Sequence, residues 1–398
     1  MEPNPFQPAP GATPPALVGR EAEAASIDDA LERAETGGIP LPLAFVGLRG
    51  LGKTVLLNLV HERVARGIVL SLEVERGVPL ATSLRNGIAA IDAARKPLPA
   101  RVGSAIRTAL RDIPLPAYEP PGNVGEFKLV APAADEPEPA DLPLGRAIEA
   151  LNDAIRRTKH YLAITIDEVH AADVAGLRSV VAAVHRSAQT GTPILFACAG
   201  LPESFALFAK LPTYVRRWDT FELGFLTRAE SALGIRLPLE RAGVTIDDDA
   251  LDLLVENAAG YPFFLQRYAS EAWKRRKRNR ITRAAVSETL EPVRALVEKT
   301  YYADDFKTLS PRERLFCREL AALGPGPHEL GRIAAALGVK SLAISSIRGN
   351  LIKKGIVFVP ASGDIQFRMP LAERYVLQHP EYFDDERVRA YREKLSPS

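Results

Sequence analysis

Residues 45–60 read FVGLRGLGKTVLLNLV, and within them Gly47, Gly52, Lys53 and Thr54 fit the spacing G-x-x-x-x-G-K-[ST]. The chemistry this spacing serves is the cradling of phosphate oxygens. Glycines let the backbone curl until its N–H groups converge on an anion, and a helix starting at the lysine adds its partial positive charge. The whole stretch Gly47, Leu48, Arg49, Gly50, Leu51, Gly52, Lys53, Thr54 and Val55 is therefore assigned to phosphate contact. Lys53 is expected to reach the β- and γ-phosphates of a nucleoside triphosphate, and the Thr54 hydroxyl to ligate Mg²⁺.

A second group completes that chemistry. HYLAITIDEVHAAD (160–173) offers an apolar strand from Tyr161 to Ile166 that runs into Asp167 and Glu168. An acid at the C-terminal end of a neighbouring parallel strand is where the metal needs an acceptor, which gives Asp167 to Mg²⁺. Glu168, one residue on, faces the attacking water as general base, and its presence argues for hydrolysis rather than binding alone. His170 is a candidate coupling residue or a local hydrogen-bonding group. A third strand lies in TPILFACAGLPESF (192–205), whose end offers only Cys198 and Ala199 where a polar sensor of the γ-phosphate would be useful. Just before a further strand, Arg217 (or Arg216) stands where an arginine finger could reach the phosphates of a neighbouring copy.

Positioning these groups requires a doubly covered parallel sheet. LPLAFV (41–46) reads as a buried strand followed by the loop and a helix, and Val174–Gln189 as a helix between the second and third strands. The chain has 398 residues, enough for two or three domains, and its net charge of +2 confines any nucleic-acid contact to a local patch. Its two cysteines, Cys198 and Cys317, lie far apart among apolar residues, which is no disulfide framework and fits a reducing compartment. The N-terminus lacks the regions of a secretory signal, and no run of 18 apolar residues occurs. The expectation is a cytoplasmic protein without membrane partners.

These residues resemble the AAA+/STAND group of P-loop ATPases, and more closely the origin-recognition-type and archaeal-type ATPases that carry a winged helix after the ATPase module. The resemblance extends from NPFQPAPGATPPALVGRE to IQFRMPLAERYVL, nearly the whole chain. It implies an α/β fold built on a P-loop NTPase parallel sheet, with a helical lid and a C-terminal winged-helix domain, and ATP/ADP with Mg²⁺ as cofactors. LVGRE (17–21) is similar to the family's N-terminal linker, which implies that Val18, Gly19 and Arg20 lie on the adenine side. AAGYPFFLQRYASEAW (258–273) looks like the lid helix with Gly260 and Pro262, the proline lying near base or ribose in STAND members. Where initiators use a lid arginine this chain has Phe263, with Arg267 a turn further on, so the lid is more STAND-like.

Three segments follow: an ATPase core over residues 1–226, a lid over 227–299, and a winged-helix domain over 300–398. Residues 1–16 are rich in proline and alanine and expected to be extended. Residues 112–144 carry eight prolines and four acids in their second half, the mark of an acidic loop, with a short strand possible at 124–130. The lid should hold four helices, the third ending in a cationic run, Lys274, Arg275, Arg276, Lys277, Arg278, Arg280 and Arg283.

Beyond residue 310 three helices and two short alternating segments around ASGD suggest helix-turn-helix plus hairpin. No acid occurs between Glu329 and Asp364, whereas Arg332, Lys340, Arg348, Lys353 and Lys354 are cationic. Lys340, Ser345, Arg348, Lys353 and Lys354 are the candidate contacts to double-stranded DNA. Five cations would neutralise about five phosphates, a salt slope near −4.5, enough for sequence-tolerant binding. The leading expectation is a nucleotide-switched, DNA-engaging ATPase, with Arg217 offering a route to a homo-oligomer. The alternative is a STAND-type signalling or defence switch whose winged helix clamps the protein shut without touching DNA. A metabolic kinase is disfavoured, because Glu168 after Asp167 suits water activation.

Overall fold

Residues 43–47, 161–167 and 194–200 are almost uninterrupted apolar runs, as strands covered on both faces must be. They form β1 (Leu43–Gly47), β3 (Tyr161–Asp167) and β4 (Ile194–Gly200), and every residue in them is buried except Asp167. Two more strands flank them, β2 (Gly67–Glu73) and β5 (Asp219–Leu223), giving the order β2-β3-β4-β1-β5. All four pairings are parallel. The structure is a computed structural model that describes residues 3–9, 11–93, 142–157, 159–359, 364–369 and 371–395.

Strand β2 escaped the sequence reading because it is an edge. GIVLSLE alternates between buried and half-exposed positions and carries Ser71 and Glu73 outward, a weaker signal than the buried runs. One face of the sheet is covered by helices Glu21–Thr36 and Lys53–Arg63, the other by Leu80–Ala93, Leu142–Arg156 and Val174–Gln189. The last matches the expected bounds. The expected loop through residue 144 needs correction at its end, since helix begins at Leu142 and takes in Pro143. A proline is tolerated in the first turn, where its missing N–H has no helical partner to lose. Residues 112–141, with the expected strand at 124–130, lie outside the described residues.

Four helices follow the sheet, Arg228–Arg241, Asp248–Ala258, Pro262–Lys274 and Arg283–Val297, as the pattern of starts suggested. Thr227 and Glu230 close a reciprocal capping box at the first of them. The cationic run after Trp273 is largely engaged within the chain. Lys274 and Arg275 pair with Glu271, Arg280 pairs with Asp247, Arg276 lies 3.9 Å over the Trp273 ring, and Arg283 donates to the Asp249 carbonyl. Lys277 and Arg278 stay exposed without such partners among the described residues.

Towards the C-terminus come helices Pro311–Ala322, Leu330–Ala336 and Ser341–Lys353, then an antiparallel pair of short strands, β8 (Val357–Phe358) and β9 (Gln366–Phe367), numbered after a short pair β6 (Thr245–Ile246) and β7 (Arg280–Ile281). His328 forms an additional antiparallel bridge with Ile365. Three further helices between Ala372 and Leu395, unread in the sequence, pack on Pro311–Ala322. There Arg314, buried, donates to Asp385 at 2.7 Å and to the Tyr382 carbonyl at 2.6 Å. Among the described residues, no single helix is long and apolar enough to cross a membrane.

Candidate nucleotide site

The loop between β1 and helix Lys53–Arg63 bends as its glycines permit. Gly50 and Gly52 hold φ of 73° and 94°, a region other residues enter only with strain. Gly47 has a different reason: a β-carbon there would sit 2.9 Å from the Leu223 carbonyl oxygen of β5. Lys53, the first helical residue, is 6% exposed, and its ammonium donates to the Leu48 carbonyl at 2.8 Å. Burial pushes its pKa down to about 8, against the favourable charges of Glu168 and Asp167. At neutral pH the amine still carries its charge for most of the time, and a bound polyphosphate would stabilise that form further.

Thr54, in the first turn of helix Lys53–Arg63, and Asp167, the last residue of β3, meet: the threonine hydroxyl donates to Asp167 Oδ2 at 2.7 Å. Two hard oxygen donors side by side next to a buried lysine suit a small divalent cation such as Mg²⁺. Glu168 follows in a left-handed conformation, φ 55°. Burial and the Asp167 charge hold its carboxyl above the ordinary carboxylate value, with Lys53 and Arg49 opposing. A carboxylate of raised basicity is what proton abstraction from water requires. His170 lies 3.3 Å from Glu168, but the contact is no ion pair at neutral pH. Burial, then the charges of Arg368 and Lys53, hold the imidazole down to about 4, and its Nδ1 accepts the Leu201 N–H at 3.4 Å. Leu201 directly follows β4, so His170 ties the Glu168 turn to the strand end where no polar sensor stands. Cys198 and Ala199 are wholly buried.

A cavity of about 300 Å³ opens above the loop. Of the expected nucleotide contacts, Val18, Arg20, Arg49, Gly50, Leu51, Gly52, Lys53, Thr54, Val55 and Pro262 line it, and so does Glu168; Gly19, Gly47 and Leu48 do not. Arg20 is 7% exposed and donates to the carbonyls of Gly19, Leu51 and Gly224, at 2.7, 3.2 and 2.6 Å. Its guanidinium thus ties the linker to the phosphate loop and to the end of β5, a structural task beside any adenine contact. Gly19 holds φ 64°, and a β-carbon there would come 2.7 Å from Glu230.

Three sets of residues around the cavity had no sequence signal. Tyr261, immediately before Pro262, donates its hydroxyl to the Arg49 carbonyl, and a β-carbon on Gly50 would lie 2.4 Å from that hydroxyl. The N-terminal segment crosses the cavity. Asn4 bonds Ser270 at 2.9 Å, the Gln7 N–H donates to Gln266, Asn58 holds the Gly11 carbonyl at 2.8 Å, and Phe6 is buried. Met369, from just beyond β9, closes the far wall, and its neighbour Arg368 pairs with Glu203, which follows β4. Burial and the Arg49 and Arg76 charges hold Arg368 below the usual arginine value, with Glu168 opposing, which puts this C-terminal residue within electrostatic reach of Glu168.

Other expected sites are separate from this cavity. Arg217 ends a short turn, Thr213–Arg217, before β5, and is exposed without an ion-pair partner among the described residues. On helix Ser341–Lys353 and its flanks, Lys340 and Lys353 are exposed. Lys354 is not available as the sequence suggested: its ammonium bonds Glu313 and the Thr308 carbonyl, both at 2.8 Å. Burial opposes ionisation of Glu313, yet the bonds from Lys354 and Ser310 prevail and hold its carboxyl low. The Ser345 hydroxyl donates back to the Ser341 carbonyl at 3.0 Å, and Arg348 is half-buried with its Nε unpartnered.

Residues 16–197 match the AAA ATPase domain, and residues 299–376 match a domain of unknown function (DUF8462). No curated protein matches the sequence. Among solved structures, the chain is similar to the Walker-type ATPase PABY2304 of Pyrococcus abyssi, at 14% identity and a TM-score of 0.56, over 91% of this chain and 96% of that one. It is also similar to Cdc6p from Pyrobaculum aerophilum (15% identity, 96% and 98% covered, TM-score 0.47) and to the RuvB Holliday junction branch migration motor of Thermotoga maritima (18%, 90% and 95%, 0.44). At such identities the first likeness speaks to the fold alone, and the other two, below 0.5, carry no argument. Strand order, phosphate loop and matched domain agree: the chain has the P-loop AAA+ fold, and its residues 16–197 are an ATPase domain.

Proposed function

We propose that this chain is an ATP-hydrolysing switch whose C-terminal segment is a winged helix that docks on the ATPase core and is released according to the nucleotide held. The observation that carries this reading is that Met369 lines the nucleotide cavity while its neighbour Arg368 pairs with Glu203, beside the end of β4. Lys53 and the loop amides bind the polyphosphate, while Val18, Pro262 and the N-terminal segment enclose the base and ribose end. Thr54 and Asp167 would hold Mg²⁺, which supplies charge neutralisation for the transferring phosphoryl group. Glu168 takes the proton of the attacking water. Arg217, exposed, would serve as the finger that acts on a neighbouring copy.

Arg368→Ala tests the docking. Losing a half-buried ion pair that couples two sites is worth about 1–3 kcal/mol, so release of a fluorescent ADP analogue should accelerate about tenfold. An unchanged release rate, with the fold intact by circular dichroism, contradicts the clamp.

A second reading, in which the released winged helix engages duplex DNA, is favoured by the exposed Lys340 and Lys353 on an acid-free stretch. Because Lys354 is engaged internally, the informative variant replaces Lys340 and Lys353. Anisotropy of a labelled random duplex should then lose about 2 from its salt slope. No duplex binding at low salt in any nucleotide state leaves the clamp as the module's whole task.

A further inference from the structure

All five parallel strands begin at the sheet edge opposite the phosphate loop, and a second cavity, of about 200 Å³, lies at that edge. Arg66 enters it from the turn before β2, Arg156 from the end of its helix, and Lys159, His160 and Tyr161 from the turn into β3. Lys159 adopts a left-handed φ of 65° and its N–H closes on the Arg156 carbonyl at 2.9 Å, a tight reversal that keeps these cationic residues adjacent. None of Arg66, Arg156 and Lys159 has an ion-pair partner among the described residues. The one acid in the wall is Glu35, which accepts the Ala65 N–H at 3.3 Å. Three permanent cations thus share a concave surface with a single carboxylate.

Tyr161 supplies the independent sign of a ligand. It is 5% exposed and lines the cavity, yet its hydroxyl is buried with no hydrogen-bond partner. Its position is enforced: a β-carbon on Gly67 would come 2.8 Å from the ring, so glycine at the start of β2 is what lets the ring lie there. Burial, then the Glu35 charge, push the phenol up to about 12, so at neutral pH it remains a neutral O–H donor. A buried donor without an acceptor is costly, and unpaired cations repel one another; an anion with several oxygens relieves both.

We propose that this cavity binds a small phosphate-bearing anion, gripped by the guanidinium groups of Arg66 and Arg156 and receiving a hydrogen bond from the Tyr161 hydroxyl. Guanidinium forks match the oxygens of a phosphate, and the volume admits a phosphoryl group with a few further atoms. The site is separate from the nucleotide cavity and does not depend on how the latter works.

The test uses the full chain saturated with a non-hydrolysable ATP analogue, which fills the phosphate loop through its γ position. Inorganic phosphate is then titrated calorimetrically against sodium chloride of equal ionic strength. One further phosphate should bind per chain, at least tenfold more weakly in Arg66→Ser/Arg156→Ser and a few-fold more weakly in Tyr161→Phe. The arginines are exposed, so the double variant is expected to fold. Without the analogue, Lys53→Ala should leave this binding intact. Binding that is equal in wild type and the double variant, or none beyond the chloride control, overturns the proposal.

Discussion

Lys53→Ala should weaken ATP binding by at least about a hundredfold, as measured by equilibrium dialysis or calorimetry. The ammonium is buried in the loop and donates to the Leu48 carbonyl, a bond that a phosphate oxygen would replace. Charge-assisted bonds of this type contribute about 1.5–3 kcal/mol each, and the proposed role has the lysine reach two phosphates. The same residue sets a pH dependence. Burial holds its pKa down to about 8, so above that pH binding must first recharge the amine, and affinity should fall by up to about tenfold per pH unit. The variant should lose this slope together with the affinity. For stability the sign is opposite. Because the folded pKa lies below that of the unfolded chain, stability rises with pH between about 8 and 10.5.

Glu168→Gln should leave ATP affinity within about threefold while lowering turnover by about 10²- to 10⁴-fold, the usual contribution of a positioned base. Glutamine keeps the shape and the bond-accepting oxygen but cannot take a proton. The raised pKa of Glu168 comes from burial and the neighbouring Asp167, so wild-type turnover should decline on the acid side at a pH above the ordinary glutamate range. Single-turnover hydrolysis of pre-bound ATP separates the two steps. Normal turnover in the variant would remove Glu168 from the base's role and direct attention to His170, its neighbour.

Legibility in the sequence followed burial and local spacing. The phosphate loop declares itself because backbone curvature, charge and hydroxyl are all set within eight residues. Strands β1, β3 and β4 were legible as apolar runs, whereas β2, an edge half open to solvent, was not. The four helices after the sheet carried start signals in Thr227, Asp247, Pro262 and Thr282, and all four were read. Relations across long sequence distances were hidden. Nothing local marks Arg368 as the partner of Glu203, or Tyr261 as the donor to Arg49, because each depends on how distant segments dock. Charge alone misled at Lys354 and in the run after Trp273, where acids brought in by the fold, Glu313 and Asp247 among them, engage the cations. Arg20 shows the same limit from the other side: the likeness of LVGRE to a family linker placed it by the nucleotide, and the fold uses its guanidinium to join three backbone carbonyls.

The central claim is that the nucleotide decides whether the C-terminal segment sits on the core, and a distance measurement tests it most directly. Both native cysteines are buried, and burial pushes their thiols up, so spin labels on Glu32→Cys and Ser346→Cys would report without interference. Pulsed electron paramagnetic resonance on that variant in the Glu168→Gln background should give one narrow distance with ADP. With ATP it should give a shifted or broadened distribution, and Arg368→Ala should produce that distribution without ATP. A single unchanged distance in every nucleotide state, with or without Arg368, would contradict the account.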